Sequence, residues 1–435
     1  MRFDLKVFAG KVSYVLLFNI FTFLAGLITI FYIPKFISIT DYAEWKEFGL
    51  YYAFAGLLNF GIVDGAYVRF GGKTYSEIRD HVLEYQAYLF LSSTIFSLLF
   101  GILLVVLFGR SSFFILLIAN AFFFNIMGYY INIFNAIGRH VFANIIRLYS
   151  RMGFLILFLF IYWMYESLNL RQVYFSFTII NLTGTLFLMV WLYITAKGTF
   201  QLPRLTSKAM FALQKDGIPV LFANVVQIIL FNIDLIFVKI IASPEEFAIY
   251  GFAVTVIKAL LVLTNSFKLV LYPYLSVDNN LLDKHYLKLK TLVYISGVLL
   301  TGILLVVLKI IIFHFLPEYI PSLNILKYLL FSVPSLFSVI VFQYNTYLVG
   351  GNQARYLKNN IISIAIGTLL NMPGILLGRT EWIAMATVVS FALFSIQNEY
   401  SMKMDNIRKR IRQDIVYMML LLLVLAIVNQ IKIVP

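Results

Sequence analysis

Long apolar segments constrain this chain more than any other feature of its sequence. About 20 apolar residues in a helix cross the hydrocarbon core of a bilayer, and twelve segments of this kind follow one another. They cover residues 12–33, 48–68, 83–108, 113–134, 148–165, 173–195, 218–241, 248–272, 291–313, 324–349, 359–377 and 382–400. A thirteenth, shorter run covers residues 415–431. The pattern predicts an all-α, polytopic membrane protein.

The overall composition supports the same prediction. Of the 435 residues, 61% are hydrophobic and 12% are charged, whereas a soluble domain carries about 25% charged residues. Too few charged side chains remain to cover a water-exposed surface, and the mean hydropathy of +0.90 agrees.

The basic residues are distributed unevenly between alternate loops. One set of loops holds lysine and arginine clusters within residues 2–11, 69–79, 139–151, 197–215, 284–290, 355–358 and 403–412. The other set holds only Lys35, Lys46, Arg110, Arg171, Arg379 and Lys432. Because basic residues resist translocation, we expect the first set, and with it the N-terminus, to be cytoplasmic. The net charge of +14 then reflects topology and gives no reason to expect a nucleic-acid partner.

Several kinds of chemistry are not supported by the residues present. The chain has no cysteine, which excludes disulfides, thiol catalysis and cysteine-ligated metals. The four histidines are scattered without a metal-binding spacing. Gly72-Lys73-Thr74 is similar to the end of a phosphate-binding P-loop, but that pattern requires a glycine where Tyr67 stands. We therefore expect no catalytic residue, no metal, no cofactor and no nucleotide site.

The two halves of the chain show a faint internal similarity. TDYAEW at residues 40–45 matches EEFAIY at 245–250, and GRH at 138–140 matches GNQ at 351–353. We expect one six-helix bundle in residues 1–200, a cytoplasmic linker at 201–216 and a second six-helix bundle at 217–402. Such parallel repeats would face a central cleft and work by alternating access. Residues 403–435 form a basic cytoplasmic segment, with 415–431 either a thirteenth span or a helix lying on the membrane or the bundle.

Ionisable residues inside the apolar segments are the first candidates for a transport site. A charge near the bilayer centre costs about 2.5–3.5 kcal/mol on insertion scales, so such residues face protein or water. Asp64 lies near the end of the second segment, Asp234 lies in the seventh, and Lys258 and Lys268 lie in the eighth. One interpretation is a structural pair between Asp234 and Lys258. The other is a cationic cleft, in which Asp64 and Asp234 serve a coupling cation.

Basic residues at segment ends are a second group of candidates. Arg147 and Arg151 stand one helical turn apart and would present two guanidinium groups on one face. This arrangement suits a phosphate, and equally an anchor in the inside loop. Arg69 follows Asp64 by five residues, which is roughly 140° around a helix, so these two should not pair. Arg69 either reaches the lipid headgroups or lines the cleft.

Small and amide side chains complete the set. Gly61 and Gly65 have the spacing that lets two membrane helices approach closely. Asn19 and Asn224 occupy equivalent places in the two halves. They would either line the cleft symmetrically or form hydrogen bonds between helices.

The start of the chain resembles a known family. ITDYAEW at residues 39–45 follows the first segment, and the second segment closes with NFGIVDG at 59–65. This order, with the six-plus-six architecture and short outside loops, is similar to bacterial polysaccharide repeat-unit flippases of the O-antigen translocase (Wzx-like) family. That family shares a superfamily with the multidrug and toxin extruders and the lipid II flippase.

The resemblance implies a function. It implies a flippase in the bacterial inner membrane that moves an undecaprenyl-diphosphate-linked oligosaccharide to the outer leaflet for O-antigen, capsule or exopolysaccharide assembly. It also implies a cationic cavity, coupling to H⁺ or Na⁺, contact with membrane lipids, and a polysaccharide polymerase and chain-length regulator as partners. The alternative is a drug or small-cation extruder of the same fold, where we expect a more acidic, aromatic cleft. A membrane glycosyltransferase or polymerase would need a substantial outside loop with carboxylates, and none is present.

Overall fold

The computed structural model describes residues 5–109, 111–195, 207–277, 279–402 and 407–430. Within these ranges the regular structure is helical and no strand occurs. Nine helices of the described ranges are long and apolar enough to cross a membrane. The prediction of an all-α, multi-pass membrane protein is confirmed.

Seven helices form the first part of the chain. They are α1 (Leu5–Phe36), α2 (Ile39–Tyr52), α3 (Ile62–Phe70), α4 (Tyr75–Phe108), α5 (Ser111–Ala136), α6 (His140–Tyr165) and α7 (Leu170–Thr195). Local signals explain some of the ends. The Thr74 amide donates to the Glu77 carboxylate (2.6 Å) at the start of α4, and Gly109, at φ 68°, ends this helix.

Ten helices follow in the second part. They are α8 (Ser207–Leu230), α9 (Ile233–Ile241), α10 (Pro244–Val277), α11 (Asn279–Phe315), α12 (Ser322–Leu329), α13 (Val333–Phe337), α14 (Tyr344–Val349), α15 (Gln353–Leu377), α16 (Thr380–Ser401) and α17 (Ile407–Gln430). A 3₁₀ turn (Leu330–Ser332) and a π-helical turn (Ser338–Gln343) join α12, α13 and α14. Together they make one membrane-length helix, Ser322–Val349.

Two segments predicted as continuous spans are broken, so that prediction was wrong for both. Residues 48–68 divide into the end of α2, a short 3₁₀ turn (Ala55–Asn59) and α3. The left-handed backbone of Phe60 (φ 49°) and Gly61 (φ 80°) ends the turn. Residues 218–241 divide at Asn232, which precedes α9 with φ −130°. The length and hydropathy of an apolar segment do not reveal a break in its helix, because the residues on both sides of the break remain apolar.

Two segments predicted as loops are partly helical. Helix α2 begins at Ile39. The polar stretch that precedes the second apolar segment is therefore part of this helix. Helix α8 begins at Ser207, inside the predicted linker, while residues 196–206 lie outside the described ranges.

The chain divides into two compact units. The first contains residues 1–25 and 47–228, and the second contains residues 26–46 and 229–435. The unit boundaries fall inside α1, inside α2 and near the end of α8. The division into 1–200, 201–216, 217–402 and 403–435 stays a prediction.

Glycines bring α3 and α8 into close contact within the first unit. A Cβ atom on Gly217 would lie 1.8 Å from the Gly61 carbonyl oxygen and 2.5 Å from the Gly65 nitrogen. A Cβ on Gly65 would lie 2.2 Å from the Leu213 carbonyl oxygen. Backbone atoms occupy the space that side chains would need, which confirms the predicted packing role of Gly61 and Gly65. This close contact between α3 and α8 holds the interrupted part of the second apolar segment against α8.

Candidate functional site

A polar cavity of about 380 Å³ lies within the first unit. It brings together three of the predicted site residues, Asp64, Arg147 and Asn224. Amide side chains of Asn59, Asn125 and Asn132 contribute further polar groups to its lining. The cavity therefore combines one carboxylate, one guanidinium and several neutral hydrogen-bonding groups.

The broken second span supplies one wall of the polar cavity. Asn59 Nδ2 donates to Asn125 Oδ1 (3.2 Å), and the Gly61 amide donates to Asn59 Oδ1 (2.9 Å). Asn125 Nδ2 donates to the Ala55 carbonyl (2.9 Å). These bonds satisfy backbone groups that the break leaves unpaired, as a membrane interior requires. Non-helical backbone at membrane depth is characteristic of transporter binding sites.

Asp64 occupies the first turn of α3, directly after the break. Its carboxylate is largely buried and accepts a hydrogen bond from Asn224 Nδ2 (3.2 Å). The amino end of a helix favours a negative charge, because its free N–H groups carry partial positive charge. The break and Asn224 together hold an acidic group at the cavity wall.

Arg147 supplies the positive charge of the polar cavity. It projects from α6, its side chain is exposed, and one guanidinium nitrogen donates to Asn144 Oδ1 (2.8 Å). Arg151 lies one turn further along α6 and is also exposed, but it does not line this cavity. Both guanidinium groups project from α6, but of these two only Arg147 lines the polar cavity.

Arg69 lies apart from the polar cavity. Its Nε donates to Asp216 Oδ2 (2.7 Å), and a second guanidinium nitrogen donates to the Tyr85 hydroxyl (3.3 Å). The ion pair joins the end of α3 to α8 and is partly exposed. As expected, Arg69 does not pair with Asp64. Its part in substrate binding stays a prediction.

A larger apolar pocket of about 880 Å³ adjoins the polar cavity. The two share Phe54, Leu57, Leu221 and Val225 in their linings. The remaining lining of the larger pocket is almost entirely aliphatic and aromatic, with the stacked rings of Phe60 and Phe96 (centroids 3.7 Å apart) among it. The first unit therefore offers polar and apolar volumes side by side, an arrangement suited to an amphiphile.

The second unit brings Asp234 and Lys258 into one region without a hydrogen bond between them. Lys258 Nζ donates to Asn232 Oδ1 (2.6 Å), at the break before α9. Asp234, in the first turn of α9, accepts hydrogen bonds from the Tyr250 hydroxyl (3.0 Å) and the Leu235 amide (2.8 Å). Lys46 also belongs to this region, since its Nζ donates to Thr255 Oγ1 (2.7 Å).

Two predicted residues lie outside the part of the structure that can be described in full. Asn19 belongs to α1 and Lys268 to α10, but the side chains of both fall outside the described residues. Their assignment to a cleft stays a prediction.

Sequence reasoning missed Lys46 and three asparagines of the polar cavity, Asn59, Asn125 and Asn132. Asn125 and Asn132 are seven residues apart on α5, with Gly128 between them, so they share a helix face. A search for polar residues at this spacing inside apolar segments would have found them. Lys46 could not be found in this way, because its partner Thr255 is 209 residues away in sequence.

A buried network of charges in the second unit was also missed. Lys290 Nζ donates to Glu399 Oε1 (2.8 Å) and Asp414 Oδ2 (2.7 Å), and all three side chains are almost completely buried. The hydroxyls of Tyr286 and Tyr294 donate to Glu399 and Asp414, respectively. Arg410 is buried against the Tyr286 ring, 4.2 Å from its centroid. The network attaches α17 to α11 and α16.

The described residues contain no group of three or more histidine and carboxylate side chains placed to hold a metal ion. The polar cavity offers a ligand hydrogen-bonding amides, one guanidinium group and one carboxylate. Its amides and guanidinium group suit hydroxyl groups and anions, and its carboxylate suits a cation.

The fold is found in solved transporter structures. Lipid II flippase MurJ in an inward closed conformation has a TM-score of 0.68 and 15% identity, with 98% of this chain and 93% of that chain covered. An inward-facing multidrug resistance MATE family transporter has a TM-score of 0.61 and 12% identity, with 92% and 94% covered. A variant of the Vibrio cholerae MATE transporter VcmN has a TM-score of 0.59 and 11% identity, with 92% and 98% covered.

No curated protein matches the sequence significantly. The family model described as "Polysaccharide biosynthesis protein" matches residues 8–277. The fold of this chain is that of solved membrane transporters and flippases. Because the match covers more than half of its length, the chain belongs to the polysaccharide biosynthesis protein family.

Proposed function

We propose that this protein flips an undecaprenyl-diphosphate-linked oligosaccharide from the cytoplasmic to the outer leaflet of a bacterial inner membrane. The product would serve the assembly of O-antigen, capsule or exopolysaccharide. Membership of a polysaccharide biosynthesis family supports this substrate class, and the likeness to a lipid II flippase and to MATE transporters supports transport by alternating access.

The observation that carries the proposal is the pair of adjoining volumes in the first unit. The polar cavity, with Arg147 and four asparagines, suits a diphosphate and sugar hydroxyls. The adjoining pocket of about 880 Å³ suits part of an isoprenoid chain. A lipid-linked oligosaccharide carries both kinds of group in one molecule.

Coupling to a cation gradient, H⁺ or Na⁺, is part of the proposal. Asp64 and Asp234 are the candidate carboxylates, since each is buried in the first turn of a helix that follows a break. We also propose a cytoplasmic N-terminus, and a polysaccharide polymerase and a chain-length regulator as partners.

The test is a glycan profile of a deletion strain. We expect the surface polysaccharide to disappear and its lipid-linked repeat unit to accumulate, protected from reagents added outside the membrane. The wild-type gene should restore the polysaccharide. A normal glycan profile, without accumulated intermediate, would contradict the proposal.

One observation favours the alternative, a multidrug or small-cation extruder. Asp64 places a carboxylate at the wall of the polar cavity, where it could bind a cationic drug. An extruder would leave the polysaccharide of the deletion strain intact and raise its sensitivity to cationic dyes. The same strain therefore separates the two functions.

A further inference from the structure

An apolar groove runs between α11 and α17 within the second unit. Its volume of about 690 Å³ lies in the range of roughly 300–1,000 Å³ that is usual for ligand pockets. Ile295, Val298 and Leu299 line it from α11, and Val416 and Leu420 line it from α17. The groove thus has two helical walls with matching apolar stripes.

Basic side chains lie at one end of the groove. Lys409 and Arg412 stand three residues apart on α17, on the helix face that continues with Val416 and Leu420. Both side chains are exposed. None of the described residues that line the groove is acidic. Positive charge at one end and apolar surface along the rest is the pattern of an anionic amphiphile's binding site.

The walls of the groove are held together by direct contacts. The rings of Tyr294 and Tyr417 stack with centroids 4.0 Å apart, and the Tyr417 hydroxyl donates to the Phe331 carbonyl (3.2 Å). Gln413 Nε2 donates to Thr291 Oγ1 (2.8 Å). The buried network around Lys290 attaches the same two helices. The groove is therefore formed before a ligand binds, so binding does not carry the entropic cost of ordering its side chains.

We propose that this groove binds an anionic phospholipid. Its phosphodiester would lie between Lys409 and Arg412, whose side chains donate charge-assisted hydrogen bonds to phosphate oxygens. One acyl chain would lie along Val298, Val416 and Leu420. An anionic headgroup is favoured over a zwitterionic one, because the latter brings a positive amine against two basic side chains. This lipid is resident in the second unit and distinct from the transported molecule.

The full-length protein in detergent tests the proposal. Native mass spectrometry would count retained lipids after titration with palmitoyl-oleoyl phosphatidylglycerol or with phosphatidylcholine of the same chains. Each basic residue near an anionic lipid contributes about 1 kcal/mol, so we expect phosphatidylglycerol to be retained at concentrations at least about tenfold lower. Equal retention of the two lipids would overturn the proposal, since it would indicate non-selective annular contact.

Matched variants locate the site. The double variant Lys409→Gln/Arg412→Gln should lose the preference for phosphatidylglycerol. The control Arg408→Gln/Lys358→Gln removes the same charge from exposed positions that do not line the groove, and it should keep the preference. Equal loss in both double variants would overturn the assignment to the groove.

The apolar wall and the competing occupant are tested separately. Val416→Trp fills the groove while leaving the basic end intact, and it should also abolish selective retention. Unchanged selectivity in this variant would contradict an acyl chain in the groove.

Undecaprenyl phosphate should compete no better than phosphatidylglycerol for retention by the protein. Displacement by undecaprenyl phosphate at about tenfold lower concentration would assign the groove to the isoprenoid carrier and overturn the proposal.

Discussion

A single guanidinium group supplies the positive charge among the residues that line the polar cavity of the first unit. Arg147 is oriented by Asn144, and Asp64 is oriented by Asn224, so each charge has a neutral amide partner. Neither charge is neutralised by a direct bond to the other among the described contacts. Both therefore remain able to interact with a ligand.

Replacement of Arg147 tests whether this single residue binds the substrate. If Arg147 holds the diphosphate, Arg147→Gln should lower flux in proteoliposomes roughly ten- to hundredfold, because a charged hydrogen bond contributes about 1.5–3 kcal/mol. Arg139→Gln removes the same charge from an exposed position outside the cavity and should have little effect. Similar flux in both variants would exclude this role of Arg147.

Lys258 gives a second prediction at this scale. Lys258→Ala removes the hydrogen bond to Asn232 at the break before α9 and the positive charge near Asp234. We expect flux to fall about tenfold, as for other charged hydrogen bonds, while abundance in the membrane stays unchanged. The control is Lys309→Ala, an exposed lysine on α11. Wild-type flux in the Lys258 variant would contradict its assignment to the transport pathway.

At the element scale, the crossing of α3 and α8 depends on having no side chain at Gly217. Its nearest neighbours are backbone atoms of Gly61 and Gly65, which no rotamer change can move away. We expect Gly217→Ala to lower the free energy of unfolding by about 1–3 kcal/mol, as overpacking does. Gly302→Ala is the matched control, because nothing lies within 4 Å of its added Cβ. Thermal unfolding in detergent compares the two, and equal midpoints would show that the crossing can relax.

The attachment of α17 gives a further prediction for the elements. Lys290→Met leaves Glu399 and Asp414 buried without their shared cation. Breaking a buried ion pair in this way costs about 3–5 kcal/mol, so the unfolding midpoint should fall sharply. Lys288→Met, two residues away and exposed, should leave it nearly unchanged. A small effect at both positions would show that the network does not stabilise the protein.

The elements also show how far the sequence predicts the fold. The length of apolar segments predicted the membrane helices, because the thickness of a bilayer sets that length directly. The breaks at Gly61 and Asn232 escaped prediction, since a single glycine or asparagine leaves the average hydropathy of a long segment apolar. Within the site, Asp64 was identified as a carboxylate inside an apolar segment, Arg147 as a basic residue at a segment end, and Asn224 by its equivalence to Asn19 in the repeat. Lys46 was not, because its position depends on a contact with distant Thr255.

At the scale of the whole molecule, the positive-inside pattern predicts the orientation, and the absence of cysteine makes it testable. Single cysteines can be placed at Ser76, exposed in the first turn of α4, and at Ser167, exposed between α6 and α7. In intact cells a membrane-impermeant maleimide should label Ser167→Cys and leave Ser76→Cys unlabelled until the cells are opened. The reverse pattern would place the N-terminus outside.

The buried network around Lys290 also has a consequence for biosynthesis. Translation supplies Lys290 first, Glu399 109 residues later and Asp414 124 residues later. The last acidic partner therefore leaves the ribosome only after helices α1 to α16 have been made. A chain terminated before Asp414 would retain Lys290 in the membrane without this partner, and the hydroxyl of Tyr294 would lose its carboxylate acceptor. Helix α17 therefore completes the pairing of a buried lysine that is placed in the membrane long before it.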